Sequence, residues 1–100
     1  MTIAFYDKNG QEFANRTQYL DMTRSYQRFL ALVPQSGHLL DAGCGSGRDT
    51  RAFLERGYKV TAIDASETMV TLAAQLTGQQ VLKMRFQELA FSEIFDGIWA

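Results

Sequence analysis

The sequence has one cysteine, Cys44, and one histidine, His38, among its 100 residues. A single cysteine excludes an internal disulfide and favours a reducing, cytoplasmic setting. No cluster of cysteine or carboxylate residues stands at metal-ligand spacing from His38, so we expect no metal site. A dominant charge is also lacking, because ten basic and eleven acidic residues leave a net charge of −1. We therefore expect no nucleic-acid partner.

Long apolar runs are missing as well. No stretch approaches the about 20 apolar residues of a membrane-spanning helix. The first residues include Asp7 and Glu12 and lack the apolar core of a signal peptide. We therefore expect neither a signal peptide nor a membrane partner. The composition, 46% hydrophobic and 21% charged, is typical of a folded globular unit.

The first third of the chain favours helix. Apolar residues recur at helical spacing from Met22 to Val33, with Asp21 as the predicted N-cap and Pro34 as the stop signal. A weaker helical pattern precedes them. We therefore assign residues 1–36 to an N-terminal helical cap segment.

Beyond this segment, short apolar runs alternate with helical patterns. The predicted strands are residues 38–42, 58–63, 81–86 and 95–100, and the predicted helices are residues 48–56 and 66–78. Such alternation is typical of an α/β fold with a parallel sheet covered by helices on both faces. We assign residues 37–100 to one half-domain of about four parallel strands and expect the chain to be cut within the fourth. An uncovered edge of this fourth strand predicts self-association.

A glycine-rich turn follows the first of these strands. Residues 41–47 read Asp-Ala-Gly-Cys-Gly-Ser-Gly and lead into a predicted helix. Glycines allow positive φ and let a ligand approach the main chain closely. The turn also lies at the carboxyl end of a strand, where open α/β sheets bind ligands. A tight strand-to-helix connection is the simpler interpretation, but it does not need three alternating glycines. The pattern therefore favours a ligand-binding loop.

The residues around this turn do not suit a dinucleotide or a nucleoside triphosphate. The dinucleotide motif needs a small residue where either Arg48 or Thr50 stands, depending on the register. A P-loop would need Gly-Lys-Ser/Thr, which does not follow. The carboxylate of Asp41 would repel a pyrophosphate and would favour a ligand with a cationic amino group.

Residues 39–47, Leu-Leu-Asp-Ala-Gly-Cys-Gly-Ser-Gly, resemble motif I of the class I S-adenosylmethionine (SAM)-dependent methyltransferases. The resemblance extends from about Leu39 to Ala100. It implies a Rossmann-like α/β fold, SAM as the cofactor and S-adenosyl-L-homocysteine as the product. By this resemblance, the methionine end of SAM is lined by Asp41, Ala42, Gly43, Cys44, Gly45 and Gly47.

The end of the second predicted strand supports the same resemblance. Asp64, Ala65 and Ser66 match the Asp-x-Ser pattern of the family. The resemblance implies that Asp64 accepts hydrogen bonds from both ribose hydroxyls of SAM, with Ala65 and Ser66 beside it. A turn-forming or capping role is the alternative for Asp64. Met69 would cover the adenine face or pack in the core.

The adenine end of the site departs from the family pattern. Arg85 stands where many members carry an acid that binds the adenine amino group. We therefore expect adenine to contact groups near Phe86 and Gln87, or Glu88. In similar enzymes the N-terminal helical segment folds over the cofactor, which would bring Tyr19 to it; core packing is the alternative for Tyr19.

The resemblance implies methyl transfer from SAM to an acceptor by in-line displacement. No catalytic residue can be named from the sequence. The tripeptide Gly47-Arg48-Asp49 and the overall layout resemble those of small methyltransferases of the tellurite-resistance and thiopurine kind. This resemblance and the absence of a basic patch favour a small-molecule acceptor. The alternatives are a SAM-binding module without transferase activity and an NAD-dependent oxidoreductase.

In Phe95-Asp96-Gly97, which resembles the start of the family's fourth strand, Asp96 is expected to be structural.

Overall fold

The structure, a computed structural model, describes the backbone of residues 3–5 and the whole of residues 21–89 and 95–100. The strands are β1 (Ile3–Phe5), β2 (His38–Ala42), β3 (Lys59–Asp64), β4 (Leu82–Lys83) and β5 (Gly97–Trp99). The helices are α1 (Thr23–Leu30), α2 (Arg48–Glu55) and α3 (Glu67–Thr77), and a 3₁₀ turn covers Phe86–Glu88. The predicted alternation of strands and helices is therefore present from residue 37 onward.

The five strands form one parallel sheet in the order β1-β5-β2-β3-β4. The prediction of a helical N-terminal segment is wrong for residues 3–5, because they form β1 and pair with β5, Ile3 opposite Gly97. The expected self-association through the edge of the predicted fourth strand is also wrong. That strand is β5, and β1 and β2 of the same chain already pair with its two edges.

Short-range signals in the sequence set the ends of the helices. The carboxylate of Asp21 accepts a hydrogen bond from the N–H of Thr23 at 2.9 Å, and the hydroxyl of Ser66 accepts one from the third residue of α3 at 3.3 Å. Gly57 and Gly78 lie just beyond α2 and α3 with φ of 89° and 71°, the left-handed conformation common after a helix. The predicted caps at Ser66, Gly57 and Gly78 are confirmed, whereas the N-cap of α1 is Met22 and the predicted cap Asp21 lies one residue before it.

Strand β4 is shorter than predicted. It covers Leu82–Lys83 instead of residues 81–86, and the described strands give it a single neighbour, β3. The chain then turns, and the carboxylate of Glu88 accepts a hydrogen bond from the N–H of Arg85 at 2.8 Å. This local bond closes the 3₁₀ turn where the sequence pattern alone predicts continued strand.

The core consists of two clusters on opposite faces of the sheet. The larger cluster contains side chains from all three helices and comprises Met22, Tyr26, Phe29, Val33, Leu39, Cys44, Phe53, Val60, Ala62, Ala73, Val81 and Trp99. The smaller comprises Leu40, Ala42, Ile63 and Phe95. Successive strand residues point to opposite faces, so Leu39 and Leu40 belong to different clusters. Helices α1, α2 and α3 therefore cover one face of the sheet.

Four aromatic rings pack at the centre of the larger cluster. Tyr26, Phe29, Phe53 and Trp99 contact one another in tilted or edge-to-face pairs with centroids 5.1–5.8 Å apart. Strand β5 can lie this close to α1 because it begins with Gly97. A Cβ atom there would stand 2.9 Å from Cζ of Phe29.

A buried carboxylate joins these elements. Asp49, in the first turn of α2, is 8% exposed. It accepts hydrogen bonds from the hydroxyl of Tyr26 on α1 and from the indole N–H of Trp99 on β5, the latter at 3.0 Å. The guanidinium of Arg48 also donates to it at 3.2 Å. We call Asp49, Tyr26 and Trp99 the polar hub.

Titration of Tyr26 in the polar hub is expected to lower the stability of the protein at alkaline pH. Burial, and then the bond to the Asp49 carboxylate, raise the pKa of Tyr26 well above its usual value of about 10. Its contribution to stability is complete below about pH 10 and is lost as the pH rises towards the raised folded value, by about 1.4 kcal/mol per pH unit. Tyr26→Phe removes this part of the slope. We expect the free energies of unfolding of the two proteins, measured in urea, to converge between about pH 8 and 11.5. A constant difference between them would contradict the raised pKa of Tyr26.

Candidate functional site

The three glycines of the turn after β2 have left-handed backbone conformations, with φ of 83° at Gly43, 57° at Gly45 and 97° at Gly47. Their surroundings differ. A Cβ at Gly47 would lie 3.0 Å from Cα of Ala73 on α3, whereas one at Gly45 would meet nothing within 4 Å. Gly47 therefore allows the turn to pack against α3, and Gly45 leaves an open approach to the backbone.

Hydrogen bonds tie this turn to the end of β3. The N–H groups of Gly43 and Cys44 both donate to the carbonyl oxygen of Ile63 at 2.9 Å. The N–H of Gly45 donates to Oδ2 of Asp64, also at 2.9 Å. The loop and the carboxylate at the tip of the neighbouring strand consequently form one fixed unit.

Asp64 is held at both of its carboxylate oxygens. Oδ2 accepts from Gly45, and Oδ1 accepts from the N–H of Ser66 at 2.9 Å. The side chain is only partly buried. Because each carboxylate oxygen has two lone pairs, an oriented carboxylate of this kind can still accept hydrogen bonds from two hydroxyl groups. The arrangement suits a ligand that carries a vicinal diol.

A pocket of about 410 Å³ opens at this edge of the sheet. Its size is within the range of small-molecule sites. It lies at the carboxyl ends of β2, β3 and β5 and beside the 3₁₀ turn. The lining residues are Ala42, Gly43, Ile63, Asp64, Ala65, Met84, Arg85, Phe86, Gln87 and Ala100.

Asp41 lies beneath the loop and does not line this pocket. It is 1% exposed, and its Oδ2 accepts a hydrogen bond of 2.6 Å from the hydroxyl of Thr50, which is fully buried on α2. The sequence pattern predicts a carboxylate presented to a cationic ligand. The structure instead places this carboxylate between β2 and α2, where it supports the loop from the core side.

Some of the other predicted cofactor residues line the pocket, and the rest lie elsewhere. The structure brings Ala42, Gly43, Asp64, Ala65, Phe86 and Gln87 together in the pocket lining. Gly45 adjoins them through its bond to Asp64. Cys44 and Gly47 are buried, Ser66 caps α3, and Met69 is half-buried on the first turn of that helix. Tyr19 lies outside the described residues.

Sequence reasoning missed three residues of the pocket lining. They are Ile63, Met84 and Ala100. It placed Arg85 at the adenine end of the site without naming it as a contact. Ile63 and Ala100 belong to predicted strands, and their positions at strand ends could have identified them. Met84 could not be placed, because the predicted strand 81–86 runs through it.

The region around His38 has a structural explanation. Its Nε2 lies 2.7 Å from the hydroxyl of Thr61, and its ring packs on Phe95 at a centroid distance of 4.9 Å. Asp96 accepts a hydrogen bond from the N–H of His38 at 2.7 Å and donates its own N–H to the carbonyl of His38 at 2.8 Å. The predicted structural role of Asp96 is confirmed. Across residues 21–89 and 95–100, no group of three or more metal-ligating side chains comes together.

The family model described as "Methyltransferase domain" matches residues 39–100, from the start of β2 onward. The chain belongs to this methyltransferase family. The match covers the glycine turn, Asp64 and the whole described pocket lining, so the site belongs to the methyltransferase domain itself. No described helix of the domain is both long and apolar enough to cross a membrane.

Individual relatives agree with the family match. YqeM of Bacillus subtilis (strain 168), which carries a provisional methyltransferase name, is 35% identical over 68 residues, or 67% of this chain and 28% of YqeM. The ubiquinone biosynthesis O-methyltransferase of Coxiella burnetii (strain Dugway 5J108-111) is 38% identical over 50 residues, half of this chain and 21% of that enzyme. The matched parts of this chain therefore span about a quarter of the length of these two relatives.

A solved structure shows the same fold. SAM-bound CalS10, an amino pentose methyltransferase from Micromonospora echinaspora involved in calicheamicin biosynthesis, superimposes with a TM-score of 0.71. The superposition covers 96% of this chain and 42% of CalS10, at 22% sequence identity. The predicted Rossmann-like α/β fold of the class I methyltransferases is thus confirmed.

Proposed function

We propose that the methyltransferase domain binds SAM in the pocket at the carboxyl edge of its sheet. The observation that carries this proposal is Asp64. Its carboxylate is oriented by the backbone of Gly45 and Ser66 at 2.9 Å each and lines the pocket beside the glycine turn. A site for a ribose diol and an open approach to a glycine backbone thus lie side by side, as an adenosyl ligand with an amino-acid tail requires.

The residues present fit the parts of this cofactor. Asp64 would accept hydrogen bonds from the two ribose hydroxyls. The base would lie against Met84, Phe86 and Gln87, which line the adjoining wall. The methionine end would extend along the turn towards Gly45, where no side chain obstructs the backbone. Asp41 acts through Thr50 by holding the turn on α2.

When bound, SAM supplies a methyl group already activated by its cationic sulfur. The protein's work is therefore alignment of the acceptor and exclusion of water. The buried strands beneath the turn supply a rigid base for that alignment. S-adenosyl-L-homocysteine would be the product that remains in the pocket. Among the described residues we assign binding roles only, and no catalytic base.

A small molecule is the acceptor class that we propose. The chain's net charge of −1 does not favour a polyanion. The names of two similar proteins, a ubiquinone biosynthesis O-methyltransferase and an amino pentose methyltransferase, refer to small-molecule chemistry. The buried thiol of Cys44, which forms no disulfide, suits a reducing compartment, so we place the protein in the cytoplasm.

Two other functions fit the observations less well. An NAD-dependent oxidoreductase would need the pyrophosphate site that Arg48 and Thr50 do not provide, and the family match does not favour it. A SAM-binding module without transferase activity would share the pocket and differ only in turnover. Calorimetric titration with SAM, S-adenosylhomocysteine and NAD separates the first case: binding of NAD alone would overturn our proposal.

Asp64→Ala is expected to weaken S-adenosylhomocysteine binding about 10- to 150-fold. The reason is the loss of a charged hydrogen-bond acceptor, about 1.5–3 kcal/mol. Calorimetric titration measures the effect. Glu55→Ala is the matched control, because this exposed carboxylate on α2 lies outside the pocket lining. If Asp64→Ala and the unchanged protein bind S-adenosylhomocysteine with equal affinity, Asp64 only shapes the turn.

A further inference from the structure

The polar hub lies next in the chain to two parts of the proposed cofactor site. Asp49 stands two residues after Gly47, which is the last glycine of the turn and the N-cap residue of α2. Trp99 immediately precedes Ala100, which lines the pocket. Neither Asp49 nor Trp99 belongs to the described pocket lining. Both side chains can therefore act on a bound cofactor through the segments that they hold.

The glycine turn is attached to its two neighbouring strands by different kinds of bond. On the side of β3, backbone N–H groups of the turn donate to Ile63 and Asp64 at 2.9 Å. On the side of β5, the described register with β2 ends at the pair Asp41–Trp99, before the first glycine of the turn. The indole N–H of Trp99 then donates to Asp49 at 3.0 Å. A side-chain bond thus joins the end of β5 to the start of α2.

The carboxylate of Asp49 is held at both of its oxygens. Oδ2 accepts from Trp99, and Oδ1 accepts from the hydroxyl of Tyr26 and from Nε of Arg48. Asp49 is buried, and hydrogen bonds to a charged group are strong in such surroundings. Because donors reach both oxygens, the carboxylate cannot move with α2 without breaking a bond. The first turn of α2 is therefore tied to the end of β5.

We propose that Asp49 is a positioning residue of the cofactor site. Through its bond to Trp99, it holds the glycine turn and Ala100 in the relative position that the cofactor requires, and it does not touch the ligand itself. This inference rests on the proposed binding of SAM in this pocket. A site that is formed before the ligand arrives binds more tightly, so loss of the bond lowers the affinity without abolishing it.

The test measures the dissociation constant of S-adenosyl-L-homocysteine by calorimetric titration, at a temperature at which far-UV circular dichroism shows every variant to be folded. Asp49→Ala and Trp99→Phe each remove one partner of the bond. We expect either change to raise the dissociation constant about tenfold, within the range of about 5- to 150-fold that is typical of coupling between sites. Asp49→Asn retains an oxygen that can accept from the indole, so its constant should stay within about threefold of the unchanged value.

Two further variants separate positioning from a loss of stability. If both residues act through their shared bond, Asp49→Ala/Trp99→Phe should also raise the constant about tenfold, whereas independent effects would multiply to about a hundredfold. Val60→Ala is the matched control. Val60 is buried in the same core cluster, but it lies near the start of β3 and outside the described pocket lining. Its truncation lowers stability and should leave the affinity within about twofold.

A rise of about threefold or more in both single variants, restored by Asp49→Asn and absent in Val60→Ala, supports the inference. A smaller rise, no restoration, the same rise in Val60→Ala, or a multiplied rise in the double variant overturns it. If Asp49→Ala does not fold, Trp99→Phe decides by the same threshold. In all these cases the unchanged protein binds S-adenosyl-L-homocysteine; if it does not, the proposed SAM site fails, and this inference with it.

Discussion

Replacing Trp99 by alanine is expected to lower the free energy of unfolding by about 3–5 kcal/mol. The Trp99 side chain is fully buried, and its ring contacts Tyr26, Phe29 and Phe53 at centroid distances of 5.3–5.5 Å. Truncation opens a cavity among these rings and removes the indole donor of Asp49. Single domains have about 5–15 kcal/mol of stability in total, so this one change removes a large share.

Urea unfolding followed by far-UV circular dichroism measures the effect, because Trp99 is the only tryptophan and its fluorescence is lost with it. Trp99→Phe keeps a ring in the cluster but loses the N–H, and it should cost about 1.5–3 kcal/mol. Leu32→Ala is the exposed control; Leu32 is 60% exposed, and its loss should stay within about 0.5 kcal/mol. A Trp99→Ala protein as stable as this control would contradict the packing of β5 against α1.

The features that sequence predicts well are those encoded within a few residues. Ser66 and Gly78 define both ends of α3 because a cap needs only its neighbours along the chain. The turn from Gly43 to Gly47 follows the same logic, since each glycine allows its own backbone angle. Asp96 belongs to this group through resemblance, because the family motif fixes its place at the start of β5.

The features that sequence did not predict depend on partners far apart in the chain. Ile3–Phe5 is too short to show a periodic pattern. It becomes a strand because it pairs with one edge of β5. The partners of Asp49 in the polar hub are 23 and 50 positions away. No local pattern marks an aspartate at the start of a helix as buried when its neighbour is Arg48.

The candidate site combines both kinds of feature. Asp64 and Gly45 were predictable because a strand end and a glycine turn are local signals. The burial of Asp41 was not, since it depends on a hydrogen bond from Thr50 in the first turn of α2. Met84 lies beyond β4 in the pocket lining, although the strand pattern runs through it, because the length of an edge strand is set by its neighbours rather than by its own residues.

Asp49→Ala is expected to cost about 2–5 kcal/mol of unfolding free energy. The carboxylate accepts from the buried hydroxyl of Tyr26 and the buried indole of Trp99, and a buried donor that loses its acceptor costs about 1–3 kcal/mol. Removal of a negative charge from the first turn of α2 adds a smaller loss. Asp49→Asn keeps the volume but has one acceptor oxygen for two donors. Its free energy of unfolding should therefore lie between those of the unchanged protein and Asp49→Ala.

A double-background comparison separates these hydrogen bonds from simple loss of volume. In a Tyr26→Phe/Trp99→Phe protein both buried donors of the polar hub are gone and, of the three donors described above, only the half-buried Arg48 remains, so Asp49→Ala no longer deprives a buried group of its partner. The buried carboxylate also becomes costly to retain there. Asp49→Ala should then cost less than about 1 kcal/mol, or even stabilise, in urea unfolding. Equal costs in the two backgrounds, within about 0.5 kcal/mol, would mean that the hub bonds do not couple α1, α2 and β5. The expected difference would instead show that this one carboxylate makes three separate elements unfold together.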